Sequence, residues 1–326
     1  MKKVIVTAKN NPDLDGVASA IAYTYFLNTH TWKKQYFVAF GGQAQFEALY
    51  VLKLLWLQKA DRNLDTVRFP KTKKFILVDY SEKHWISEHI IPENVIEVIN
   101  HKNAPLYDDF PHAKFRIEYV GAAATLIAEE FFFQQHVEIP QKIVDLLYCA
   151  IYSNSMNYGT KMTWFRDLRM KEWLEQKWAN KNLPIQMIKA KTDYAKKHLK
   201  HMFHADGKLM LLDNWLLVDL LQLEIGDGER FLKNISLIEE TIRTLHTEQQ
   251  VLCLLHLHDI EKKKTYLLSN YEHFLRYISQ QPRCTGMHHG SYIEFSELFI
   301  RKDTWPLLAN LLKKIDNSYL LQDFLK

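Results

Sequence analysis

Four short stretches of this chain place side chains capable of metal or phosphate chemistry directly after apolar runs. In KVIVTAKNNPDLDG (Lys3 to Gly16), Asp13 and Asp15 stand two residues apart behind an apolar run and an Asn-Asn-Pro break, and a long apolar segment follows. FILVDYSE ends a second run in Asp79, and VIEVINHKNAP ends a third in Asn100-His101-Lys102. The fourth, YCAIYSNSMNYGT, puts Ser153-Asn154-Ser155 at the end of an apolar helical stretch. Carboxylates with one imidazole suit Mg²⁺ or Mn²⁺ better than zinc, because oxygen ligands dominate. Taken alone, Asp13 reads equally as a helix cap and Asp15 as a first-turn acid favoured by the helix dipole. The stretches bear on one another only if the runs are parallel strands. The C-terminal ends of such strands open on one edge, where a helix N-terminus adds N–H groups and partial positive charge.

The pattern of the first half meets that condition. Apolar runs alternate with helical periodicity, which predicts a parallel α/β layer fold. Strands are expected at Val4 to Thr7, Gln35 to Phe40, Lys74 to Val78 and Val95 to Ile99, with helices at Gly16 to Asn28, Gln43 to Lys59, Val120 to Gln135 and onward from Pro140. Ile185 to Phe203 reads as a basic helix that closes this unit. A second series begins at Lys208: KLMLLDNWLLVDLL, then VLCLLHLHDIEKKKTYLLS as a hairpin turning at Glu261 to Lys264, then SYIEFSELFI. Helices are expected at Gly228 to Glu248, about Tyr271 to Gln280, and Trp305 to Lys326. His256 and His258 alternate along one of these strands, so they share a face and are expected to point to solvent. His288-His289 beside Gly290 lacks nearby carboxylates and reads as a loop.

Composition narrows the classes further. The chain has 326 residues, 47% hydrophobic and 25% charged, which is ample for two cores. Its 42 basic and 38 acidic residues leave a net charge of +4, too balanced to argue for nucleic acid. The N-terminal apolar run is too short for a signal peptide, and no apolar stretch reaches the length of a membrane span. Cys149, Cys253 and Cys284 are widely and irregularly spaced, which fits reduced structural thiols in a cytoplasm better than disulfides or zinc.

With these residues in order, the chain resembles the DHH phosphoesterases, in particular manganese-dependent inorganic pyrophosphatases and the related exopolyphosphatases and prune-like proteins. The family's first motif, approximately H-x-N-P-D-x-D-S, is similar to Lys9-Asn10-Asn11-Pro12-Asp13-Leu14-Asp15-Gly16, and its strand ending in V-D is similar to Val78-Asp79. The D-H-H falls on Asn100-His101-Lys102, EYVGAAAT (Glu118 to Thr125) resembles a family helix start, and AIYSNS resembles its A-I-I-S-D-T. Further on, Asp206-Gly207-Lys208 resembles a D-x-K whose lysine reaches phosphate, and IRKDTWP (Ile300 to Pro306) resembles the R-K-K-Q-x-x-P segment. The resemblance implies a DHH-type domain over 1–183, a linker helix over 184–206 and a smaller mixed-sheet substrate-binding domain over 207–326. The active-site cleft would lie between the two domains, which would close on the substrate.

The departures from the family matter as much as the matches. The first-motif His that ligates one metal aligns with Lys9, the first D of D-H-H with Asn100, and the late Asp ligand with Asn154. Five family carboxylates balance two divalent ions. Here Asp13, Asp15 and Asp79 stand against Lys9 and Lys102, and two divalent ions would leave excess positive charge in a partly dry cleft. The resemblance therefore implies one Mn²⁺ or Mg²⁺ rather than two, with metal ligands drawn from Asp13, Asp15, Asp79, His101 and the Asn154 carbonyl. Lys9 would stand in the place of the other ion. Phosphate binding falls to Lys102, Lys208, Arg301 and Lys302, although the last three also read as ordinary surface charges at strand ends. The implied activity is hydrolysis of phosphoanhydride bonds in pyrophosphate or short polyphosphate. The alternative is a catalytically impaired relative that binds a phosphorylated ligand or a protein partner as a regulator. Neither a membrane nor nucleic acid is expected as a partner, and the resemblance allows a sheet-edge homodimer.

Overall fold

The computed structural model of the chain describes residues 3–32, 35–58, 63–64, 74–80, 86–101, 107–212, 216–246, 251–282 and 284–315. Lys102, the side chain of Lys302 and the expected helical residues 316–326 lie outside the described residues. The chain divides into two compact units, Met1–Met187 and Ile188–Lys326.

The first unit is built on a parallel five-stranded sheet. Its elements run β1 (Val4–Thr7), α1 (Leu14–His30), β2 (Tyr36–Val38), α2 (Phe46–Leu54), β3 (Lys74–Val78), β4 (Val95–Asn100), β5 (Lys114–Ile117), α3 (Ala123–Phe133), α4 (Gln141–Asn154) and α5 (Phe165–Gln176). The strand order is β2-β1-β3-β4-β5, with every pairing parallel. Val4, Ile5, Val6 and Thr7 are all buried, as are Phe75 to Val78, as expected for central parallel strands covered on both faces. One face is covered by α1, which buries Val17, Ala18, Ala20, Ile21 and Ala22 and contacts β1, β2 and β3 as well as α3 and α4. The other face carries a cluster that includes Ile5, Phe75, Leu77, Tyr80, Val98 and Phe110. After β1 the chain goes to one neighbour, β2, and then returns to the opposite neighbour, β3. The sheet order therefore reverses between β1 and β3, and in open α/β sheets the crevice beyond the strand ends at such a point is where ligands bind.

Two elements of this unit depart from the sequence reading. The strand β5 was not anticipated: KFRI carries Lys and Arg, is only half-buried and forms a sheet edge, so it lacks the apolar run that marks a central strand. The helix α5 is also additional. Its sequence FRDLRMKEWLEQ is mostly charged and buries only Asp167, Met170 and Leu174.

The second unit begins within α6 (Asn182–Lys197), followed by α7 (Leu199–Asp206), β6 (Lys208–Leu212), β7 (Leu216–Ile225), α8 (Gly228–Leu232), α9 (Ile235–Arg243), β8 (Val251–Asp259), β9 (Lys264–Ser269), α10 (Glu272–Ser279), β10 (Met287–His288), β11 (Tyr292–Phe295) and α11 (Arg301–Ile315). Its six-stranded sheet runs β10-β11-β9-β8-β7-β6, antiparallel except for β7 beside β8. Alternation along β8 sorts the two cores. Val251, Cys253, Leu255 and Leu257 join Phe203, Phe231 and Ile238 on one face, while Leu252 and Leu254 join Phe274, Leu308 and Leu312 on the other. The expected hairpin at Glu261 to Lys264 is present as the β8–β9 connection.

Several expectations for this unit are corrected. The basic helix is two helices that meet at His198, and the expected 228–248 helix breaks at Lys233-Asn234. His256 and His258 do share a face, but both are fully buried. The His256 Nε2 lies 2.8 Å from Thr304 Oγ1 of α11, and the His258 Nε2 donates to the Phe299 carbonyl at 2.8 Å. Strand alternation fixes which side chains share a face but not what covers it, and here α11 and the segment before it do. For the same reason Arg301 opens a helix rather than ending a strand. The Ile300 carbonyl accepts from Asp303 and Thr304, which starts α11. His288, expected in a loop, pairs in the short β10 strand.

Candidate metal centre

The switch point gathers Lys9, Asp13, Asp15, Asp79, His101 and Asn154 in the first unit. Asp13 caps α1, its Oδ1 accepting the Gly16 N–H at 3.1 Å. Gly16 is required there, because a Cβ would sit 2.8 Å from the Cβ of Ala8 and push α1 off the end of β1. Asp15, in the first turn of α1, is buried and faces a second helix N-terminus. The backbone N–H groups of Ala123 and Ala124 in α3 donate to its Oδ2 and Oδ1, both at 2.8 Å.

Asp79 follows β3 in the left-handed region, with φ +49°, a conformation that Asp tolerates better than bulkier residues. Its side chain is buried, with Oδ1 3.3 Å from His101 Nε2. His101 follows β4, and its Nδ1 donates to the Val120 carbonyl at 3.0 Å. That bond leaves Nε2 facing Asp79 Oδ1 and, at 3.7 Å, Asp15 Oδ2. One ligand atom from each of Asp15, Asp79 and His101 lies within 4.8 Å of the others, and all three residues are buried. Two carboxylates and an imidazole nitrogen converging on one point are a donor set that fits a divalent cation.

The electrostatics agree with that fit. Burial and the neighbouring Asp79 carboxylate push the Asp15 carboxyl up to about 7, against the opposing effect of His101. A cation touching these oxygens would reverse the shift. The Lys9 ammonium lies 2.6 Å from Asp13 Oδ2 and 3.9 Å from Asp79 Oδ2. Burial alone would depress it, yet the Asp13, Asp79 and Asp15 carboxylates together raise it above its ordinary range.

Asn154 ends α4 at the same place, but it is the amide nitrogen that faces the cluster. It donates to the Gly121 carbonyl at 2.7 Å and to Asp15 Oδ2 at 3.1 Å. Ligation through the Asn154 oxygen requires the amide to turn over and lose the Gly121 bond. Asn100 is fully buried, its amide donating to the Tyr80 carbonyl while its Oδ1 accepts the His101 N–H at 2.8 Å, so it links the turns after β3 and β4.

Asp167 is a positioning residue that the sequence did not flag. Its carboxylate accepts from Gly121 N at 2.8 Å, Trp164 N at 2.8 Å and Thr125 Oγ1 at 2.5 Å, pinning the start of α3 that holds Asp15. It lies on α5, more than forty residues from the loop it fixes. Only the anticipation of α5, which its mostly charged sequence did not suggest, could have drawn attention to it.

The remaining candidates belong to the second unit. Lys208 opens β6 exposed to solvent and stands opposite Leu220 in register. Arg301 donates to Asp206 Oδ1 at 2.7 Å, to the Asp206 carbonyl, and to the Leu220 carbonyl at 3.4 Å, so the two cations flank the same point of β7.

The fold and this centre define a class. Residues 3–151 match the DHH family, N-terminal domain, and this part of the chain is a DHH domain. The relatives are more particular. Over 211 residues the chain is 30% identical to a probable manganese-dependent inorganic pyrophosphatase of Lactobacillus delbrueckii subsp. bulgaricus, a match covering 64% of this chain and 66% of that protein. It is 26% identical over 272 residues to the manganese-dependent inorganic pyrophosphatase of Bacillus subtilis, covering 82% of this chain and 86% of the relative. Among solved structures, a Methanococcus jannaschii protein named as a candidate family II inorganic pyrophosphatase superposes with a TM-score of 0.66 at 22% identity, over 95% of this chain and 99% of that one. An exopolyphosphatase-related protein from Bacteroides fragilis gives 0.53 at 14% identity, over 96% and 92%. The structural likenesses establish the fold. Among the described residues, no helix is long and apolar enough to cross a membrane.

Proposed function

We propose that the chain is a divalent-cation-dependent phosphohydrolase that cleaves phosphoanhydride bonds, with pyrophosphate or short polyphosphate as substrate, and that it works with one Mn²⁺ or Mg²⁺. The observation that carries this reading is the convergence of Asp15, Asp79 and His101 within 4.8 Å at the switch point, in a chain similar to manganese-dependent pyrophosphatases. These three residues would hold the ion, which when bound supplies Lewis acidity toward a phosphoryl oxygen and a more acidic water.

The other residues have separate tasks. Two backbone N–H groups of α3 hold Asp15 in one orientation, and the Val120 carbonyl fixes the His101 tautomer. Lys9 neutralises part of the carboxylate charge, so that a phosphate anion can approach. Asp13, Asp15, Asp79 and Lys9 carry a formal net charge of two negative, which one divalent ion balances. In this reading Lys102, Lys208, Arg301 and Lys302 bind the phosphate chain, since Arg and Lys grip phosphate without a metal.

One observation favours a second reading. Asp13 is engaged by Lys9 at 2.6 Å where the resemblance places a second ion, which suits a relative that binds a phosphorylated ligand without turnover. The deciding experiment is phosphate release from pyrophosphate and tripolyphosphate with Mn²⁺, Mg²⁺ or chelator, beside Asp79→Ala. Metal-dependent turnover that falls to the chelator background in the variant is the expected result. If no phosphate is released while pyrophosphate still raises the Tm, the hydrolase reading is abandoned for the binding one.

A further inference from the structure

The second unit contains a cluster that the phosphohydrolase reading does not use. Asp219 on β7 and Cys253 on β8 are register partners in adjacent parallel strands, so their side chains leave the same face of the sheet. That face is otherwise a core of Leu221, Leu223, Leu255, Leu257, Phe203 and Ile238. His246, three residues beyond the end of α9, reaches the same point, with its Nε2 2.8 Å from Asp219 Oδ2. One ligand atom from each of Asp219, His246 and Cys253 lies within 4.8 Å of the others.

The Asp219–His246 bond alone leaves this arrangement incomplete. Asp219 is 6% exposed, and among the described residues its Oδ1 is buried with no hydrogen-bond partner. A buried carboxylate oxygen without a donor is costly, and a carboxylate is a particularly poor tenant for an apolar sheet face. A cation at the cluster removes that cost. It would also turn a carboxylate and a buried sulfur on neighbouring strands from an anomaly into a ligand pair.

We propose that Asp219, His246 and Cys253 form a second metal site, separate from the DHH centre, that takes a borderline-soft divalent cation of the Zn²⁺ type. Carboxylate, imidazole and thiolate together select zinc over Mg²⁺ or Mn²⁺, which prefer all-oxygen or oxygen-rich surroundings. The Cys253 sulfur ligates as the thiolate, its proton passing to solvent as the ion binds. The loaded site is then electroneutral: one carboxylate and one thiolate against a dication. Its role is structural, tying the chain after α9 to the two central strands. The three ligands come from three separate elements with no regular sequence spacing, which is why the cysteine count gave no sign of them.

Cobalt binding to the full chain tests this. The sulfur-to-cobalt charge-transfer absorption appears only when a thiolate ligates the ion, so Co²⁺ at the oxygen-rich DHH centre is silent in that band. The wild type is expected to develop the band at one equivalent of sulfur-bound cobalt. Asp79→Ala should retain it, and Cys253→Ala and His246→Ala should each lose it. His246 is only partly buried, so its replacement reports on the site even if the Cys253 variant folds poorly. In the Asp79→Ala background, Zn²⁺ should raise the Tm, and the added His246→Ala change should abolish that rise. Absence of the band in the folded wild type, or its persistence in Cys253→Ala, overturns the proposal whatever the phosphatase assay shows.

Discussion

If the centre holds one ion, as proposed, replacing Lys9 with His should let it take a second. The Lys9 ammonium lies 2.6 Å from Asp13 and 3.9 Å from Asp79, so an ion sharing those carboxylates would sit within a few ångströms of it. Unit charges 4 Å apart interact by about 4 kcal/mol at an effective dielectric of 20, and a dication doubles that to roughly 8 kcal/mol. Halving the figure for the partly exposed ammonium leaves ~4 kcal/mol of repulsion, equivalent to about a thousandfold in the second ion's affinity. Lys9→His removes the charge and offers an imidazole in its place, whereas Lys9→Gln removes the charge and offers only a weak amide ligand. Isothermal titration with Mn²⁺ should count one ion in the wild type and two in Lys9→His, with Lys9→Gln taking its second ion more weakly. Spin coupling in the Mn²⁺ resonance spectrum should appear only when two ions are adjacent. Phosphate release should rise at least ~10-fold in Lys9→His, since a second ion clamps both oxygens of the displacement. Two tightly held ions in the wild type, or one in Lys9→His at saturating Mn²⁺, would refute the assignment of Lys9 to the second ion's place.

Three further outcomes follow from the same geometry. Asn154→Asp places a carboxylate against Asp15 Oδ2 and the Gly121 carbonyl, where an amide now donates to both. The metal-free Tm should fall by an amount equivalent to ~1–3 kcal/mol, while the stabilisation by Mn²⁺ should exceed that of the wild type. Burial, with the neighbouring His258, lowers His256 to about 3, below its unfolded value, so its contribution to stability is present above pH ~6.5 and lost as pH falls toward 3. Urea unfolding should lose roughly 2 kcal/mol from this group between pH 7 and pH 5; if His256→Gln shows the same slope, the buried neutral imidazole is not its source. Arg301→Ala frees Asp206 from its guanidinium partner and removes one expected phosphate contact. The Tm rise produced by pyrophosphate should shrink in this variant, and an unchanged rise would place the anion elsewhere.

What the sequence showed, and what it hid, divides along a physical line. Asp13, Asp15, Asp79 and His101 were legible because each follows a buried apolar run, and parallel pairing of β1, β3 and β4 brings the ends of such runs to one edge. Local pattern sufficed, since the topology did the gathering. The partners of these residues were not legible. Asp15 is held by N–H groups more than one hundred residues away, and those are held in turn by Asp167 on a helix too polar to be noticed. Strand alternation put His256 and His258 on one face, but it contains no term for the α11 segment that covers them. The same limit hid Asp219, His246 and Cys253. A register match between strands thirty-four residues apart depends on the length of everything between them, which no local period records. Side chains gathered by strand ends can therefore be placed from this sequence, whereas those gathered by pairing and covering need the fold. The Lys9 substitution and the Cys253 cluster lie on opposite sides of that division, and for that reason their tests succeed or fail independently.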